Sequence, residues 1–202
     1  MSSAAAGAVY VAAVRAATTV TEATTAALGS LADSSPVFFY GSVLSALQAR
    51  VSLLLAGAAV PPATVDVAAL LHLLSFGTCV DGDAASDGVK ALLAEHASLP
   101  AKLQLLSLLT LFSQHTLTPD GVRLSYGEVE QALGISGAVA VQDVVLRAVR
   151  SGLCVARLNE QQRQVRVYAY ESRNVSASDV SRLKGRLAKW TASAEAHMRD
   201  MQ

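Results

Sequence analysis

The chain has 202 residues, 52% of them apolar and only 16% charged, with sixteen basic and sixteen acidic side chains in balance. That composition excludes a charge-rich disordered chain and gives no overall pull toward a polyanion. So much apolar side chain with so little charge points to burial against partners as well as within the fold.

Charge is not spread evenly. Residues 1–100 hold three basic groups (Arg15, Arg50, Lys90) against seven acidic ones, and residues 101–202 hold thirteen against nine, so the two halves do different jobs. Cys79 and Cys154 stand alone, too few for a disulfide framework, which places the chain in a reducing, intracellular compartment. The first charged residue is Arg15, so the basic start of a signal peptide is missing. Apolar runs such as 51–62 and 103–112 fall short of the roughly 20 residues a membrane span needs, and no membrane partner is expected.

Alanine dominates from Ala4 to Leu28, without proline, until Gly29-Ser30; the stretch predicts one helix with a weak apolar face. A buried helix is predicted over Val37–Ala56, after Ser35-Pro36 and before Gly57. Val65–Phe76 repeats the logic, with Leu70, Leu71, Leu73, Leu74 and Phe76 at helical spacings, Thr64 as N-cap and Gly77 as stop. A polar loop over 81–88 then leads to a short helix from Val89 to Ala97. Residues 1–100 thus read as an irregular antiparallel helical array.

Beyond Pro100 the pattern changes. Lys102–His115 predicts a strongly apolar helix, and Thr118-Pro-Asp-Gly121 a turn. Ser125-x-x-Glu128 fits a capping box and opens a short helix to Leu133. After Gly134-Ile-Ser-Gly137, a third helix runs from Ala138 to about Ser151, with Val141, Val144, Val145 and Ala148 on one face and Arg147 and Arg150 on the other. The period then becomes two: Leu153–Leu158 and Val165–Tyr170 predict a β-hairpin joined by 159–164. Three helices and a hairpin make a winged-helix module over 101–172. A terminal helix over 173–202, starting at Ser176-x-x-Asp179, carries Val180, Leu183, Leu187, Trp190, Ala194, His197 and Met201 at alternating spacings of three and four, which is a coiled-coil seam.

Ser75-Phe-Gly-Thr78 in a leucine-rich helix, Leu103–Leu109, Gly152-Leu-Cys-Val-Ala-Arg-Leu-Asn-Glu160 before a basic hairpin, Arg173-Asn-Val175, Leu187-Ala-Lys-Trp190 and Phe38-Phe-Tyr-Gly41 together carry a resemblance. Over about residues 37–191 the chain resembles the PCI family of the proteasome lid, the signalosome and translation initiation factor three. Within that family it is most similar to the subunit-seven group of the COP signalosome. The resemblance implies a mostly α fold: helical array, winged helix, then a long terminal helix. It also implies a structural, non-catalytic role in a complex that removes the ubiquitin-like modifier Nedd from cullins, in cytoplasm and nucleus. The partners it implies are other PCI subunits and a bundle of terminal helices. The wing would dock edge to edge through Val165, Arg166, Val167, Tyr168 and Tyr170. Val180, Leu183, Leu187, Trp190, Ala194 and Met201 would enter the bundle.

Catalytic chemistry has little support in the residues. His72, His96, His115 and His197 are isolated from one another and from cysteine, where a catalytic zinc needs about three converging ligands. Ser125, Ser136, Cys79 and Cys154 lie in no nucleophile signature, and Gly82 and Gly88 flank carboxylates that would repel a phosphate. No enzyme activity, metal, cofactor or small-molecule ligand is expected. The runner-up partner is nucleic acid: residues 144–189 carry ten basic side chains against three acidic, although the third helix offers only Gln142, Asp143, Arg147 and Arg150 for reading bases.

Overall fold

The structure, a computed structural model, describes residues 3–32, 37–115, 118, 120–175 and 177–200. It is mostly helical, 66%, with a small three-stranded antiparallel sheet.

The first half holds six described helices. They are α1 (Ser3–Ala16), α2 (Val20–Gly29), α3 (Gly41–Leu55), α4 (Pro62–Phe76), the short α5 (Cys79–Asp83) and α6 (Asp87–Glu95). The single helix expected over Ala4–Leu28 is two. Thr19 adopts extended backbone and caps α2 in a reciprocal box with Glu22, whose carboxylate also accepts from the Thr18 amide and hydroxyl at 2.7 Å. Those bonds offset the cost of breaking the helix. Proline at the first turn starts α4 three residues earlier than expected, whereas 37–40 precede α3 as non-helical chain. Part of the expected loop over 81–88 is helical, because Thr78 and Asp81 cap each other around α5.

The second half is α7 (Ser98–Gln114), β1 (Val122–Ser125), α8 (Tyr126–Leu133), α9 (Ala138–Arg150), β2 (Cys154–Asn159), β3 (Gln164–Tyr170) and α10 (Ala177–Asp200). β1 was not expected; four residues between a turn and a capping box leave a short period-two signal, although Val122 and Leu124 alternate with Arg123 and Ser125 between buried and exposed. Gly121 makes the entry to β1: its φ is +83° and a Cβ there would stand 2.8 Å from the Val167 carbonyl oxygen. The strand order is β1-β3-β2, with Val122 opposite Val167 and Arg157 opposite Arg166.

One continuous cluster of buried apolar residues runs from Ala6 to Val167. α7 is its axis: Leu103, Leu106, Leu108, Leu109 and Phe112 are buried, and the helix meets α5 and α6 on one side and α8, α9 and β3 on the other. Among the described residues no single helix is long and apolar enough to cross a membrane; α8 and α9 reach that length only as a pair bent by 80°.

Candidate functional site

Two surfaces were expected to carry function, the wing strand and the terminal helix, and the structure treats them differently. Val165–Val167 is not a free edge, whereas Ala169 and Tyr170 pair with β2 alone. β3 is the central strand, and its residues Val165–Val167 pair with β1 on one side and β2 on the other. Val165 and Val167 are fully buried, so neither offers a partner contact. Arg166 and Tyr168 are half-buried on the outer face, and Tyr170 turns against Phe112 with ring centroids 6.0 Å apart. The correction has a plain cause: as far as Val167, β1 satisfies the backbone groups that a hairpin alone would leave open. The open edges are β1 and β2, and on β2 Val155 is 59% exposed at a bulge.

α10 is reached through a short linker held at one point. The Arg173 guanidinium donates from Nη1 to the Thr110 hydroxyl at 2.7 Å, and from Nη2 to the Leu73 and Leu74 carbonyls at 3.2 and 2.9 Å. Those carbonyls lie in the last turn of α4, where the dipole favours a cation; Leu73 also accepts from the Gly77 amide at 2.8 Å. Burial draws the Arg173 pKa down to about 10, opposed by nearby Cys79 and Asp81, so it remains a cation near neutral pH. Next to it Asn174 lies over Gly41 at the start of α3; a Cβ on that glycine would fall 2.8 Å from the Asn174 side chain. Tyr40, fully buried, donates to the Val37 carbonyl at 2.8 Å and meets Lys102 Nζ at 3.4 Å. Ser75, also buried, donates to the Leu71 carbonyl. The start of α3, the end of α4, α7 and the linker therefore meet at one junction.

From that junction α10 extends 24 residues, about 36 Å at helical rise. Its described side chains are exposed, Ala194 excepted. Its seam is open: Val180, Leu183, Leu187 and Trp190 are 41, 52, 55 and 71% exposed, and Ala194 is half-buried. Lys184 and Lys189 lie exposed beside them. Met198, which the expected seam omitted, is exposed as well. Met201 and the Ser176 cap lie outside the described residues, as does the side chain of His197. Two turns of leucine and tryptophan left in water are a large unmet burial, since each side chain yields about 1.5–3 kcal/mol when covered.

The remaining groups offer little reaction chemistry. Cys79 borders a cleft of about 660 Å³ between α5, α6, α7 and α8, with Asp83, Lys90 and Gln104 on its walls. Its thiol lies 3.3 Å from the Ser107 hydroxyl, and burial raises its pKa. Burial pushes Cys154 up to about 11. Neither is a thiolate near neutral pH, and neither is activated as a nucleophile would be. His72 stacks on Phe76 at 5.1 Å. Among the described residues no three histidines, cysteines or carboxylates gather as a metal site. No protein-family model matches the chain, and no curated protein matches it.

Proposed function

We propose that this chain is a non-catalytic scaffold subunit of the PCI type, built like the seventh subunit of the COP signalosome. The observation that carries the reading is the apolar stripe of α10, a helix held at its base with Val180, Leu183, Leu187 and Trp190 exposed. The element order α7, β1, α8, α9, β2, β3, with the third strand between the other two, is consistent with a winged helix set between a helical array and a terminal helix. In this reading α10 joins a bundle of terminal helices from other subunits, and the outer edge of β2, not β3, adds to a neighbouring sheet. The complex would act on Nedd-modified cullins in cytoplasm and nucleus, with its chemistry in another subunit.

Purifying the tagged chain from its own cells and identifying what accompanies it by mass spectrometry tests this. Several helical-array subunits and a metalloprotease subunit should co-purify, and a chain ending at Val175 should lose them. A chain that purifies alone, or keeps its partners without α10, contradicts the proposal.

A further inference from the structure

The register of the sheet sets Arg123 opposite Arg166, and Arg166 opposite Arg157, so three arginines form one row across three strands. Residues directly opposed share a face, and the alternating neighbours Val122, Leu124, Val165 and Val167 are buried, so the row lies on the face turned away from the core. The next row on that face is Ser125, Gln164 and Asn159, all polar. Adjacent strands are about 4.8 Å apart, which puts three cations within about 10 Å. Among the described residues no carboxylate forms an ion pair with any of them; the ion pair present, Arg147 with Asp143 at 3.0 Å, is on α9. Arg157 lies over the Tyr168 ring at 5.6 Å, which takes one ring face out of use for stacking.

Like charges directly opposed repel, and an anion laid along the row relieves that repulsion. What the row offers identifies the anion. Guanidinium, amide and hydroxyl groups dominate it, in a groove that Leu158, Glu160 and the half-covered Tyr168 ring also line; a phosphate chain needs only the cations and donors. Guanidinium forks match phosphate oxygens in pairs. The helix that a winged module lays in a DNA groove is less available, because Arg147 is engaged with Asp143 and Gln104. We propose that the outer face of the sheet, through Arg123, Arg166 and Arg157, binds the phosphodiester backbone of a single nucleic-acid strand without reading its sequence. This site is separate from α10 and does not depend on the scaffold reading.

The test is fluorescence anisotropy of the full chain with a labelled single-stranded oligonucleotide of mixed sequence over a salt series. Three neutralised phosphates give a log–log slope of about −2, a loss of about twentyfold between 50 and 200 mM salt. Replacing Arg123, Arg157 or Arg166 singly by Gln should lower the slope by about 0.7 each, while Lys90→Gln on the helical array should not change it. The triple Arg→Lys variant should keep the slope, and the triple Arg→Gln variant should lose binding with no fall in melting temperature. If the triple glutamine variant does not fold, the single variants decide. Absence of binding at low salt overturns the proposal, as do single variants with the wild-type slope. Displacement of the oligonucleotide by a tighter-binding glutamate-rich peptide overturns it in favour of an acidic protein partner.

Discussion

Helices α9 and α10 carry the same kind of apolar stripe and meet opposite fates. On α9, Val141, Val144, Val145 and Ala148 are buried against α7, α8 and β2. On α10, Val180, Leu183, Leu187 and Trp190 stay in solvent. The stripes themselves do not distinguish a buried face from an exposed one; the connections do. α9 is followed at once by β2, and the Leu153 amide bonds back to the Ala148 carbonyl at 3.0 Å, so the chain folds onto its own helix. α10 follows a linker pinned by Arg173, and the described part of its stripe stays exposed.

The largest effect that would break this comparison is a charge placed on each stripe. Val145→Asp buries an unpaired carboxylate and should cost more than about 4 kcal/mol, unfolding the isolated chain in thermal melts. Leu187→Asp should leave the same melt within about 0.5 kcal/mol of wild type. Equal losses would make the two helices alike and remove the distinction.

A smaller effect sharpens it at the hinge between the regions. Arg173→Ala removes three donated hydrogen bonds and strands the Leu74 carbonyl, since Leu73 keeps its bond from the Gly77 amide, which should cost about 2–3 kcal/mol by denaturant unfolding. Arg173→Lys should recover only part of it, because an ammonium cannot span the Thr110 hydroxyl and two carbonyls as the planar fork does. Full recovery by lysine would mean that charge alone, not the fork, holds the linker.

How much of this was legible in the sequence follows from how local each signal is. Ser125 and Glu128 sit three residues apart and announce the start of α8 directly; their bonds of 2.6–3.2 Å form as the pattern predicts. The helix α10 and its apolar stripe were legible for the same reason. What escaped was decided at a distance or by short segments. β1 makes sense only against β3, forty residues later, and its presence turned the expected edge strand into the centre of the sheet. Arg173 was conspicuous as part of a motif, yet its bonds reach residues 63 to 100 positions away, which no local pattern encodes. The arginine row likewise exists only through register, since Arg123, Arg157 and Arg166 are unremarkable one at a time.

The smallest predicted effect lies in the Ser125 cap, on the intramolecular side of the comparison. Ser125→Ala should cost about 1 kcal/mol. Hydrogen bonds from the Ser125 amide and hydroxyl hold the Glu128 pKa below its ordinary 4.5. The native value is the lower one, so this contribution is present above pH 4.5 and is lost as pH falls through the native value. Glu128→Gln should therefore destabilise near neutral pH and converge with wild type in acid; a constant difference across that range would place the cap's contribution elsewhere.

The account rests on α10 being a seam for partners, and the double variant Leu187→Ala, Trp190→Ala tests that most directly when its melting alone and its entry into the complex are measured on one preparation. Covering those side chains is worth about 3–6 kcal/mol to assembly. The variant should melt like wild type as a lone chain and fail to co-purify with partner subunits at micromolar concentration. A variant that melts far below wild type, yet whose folded fraction assembles normally, would show that the stripe belongs to the chain's own core.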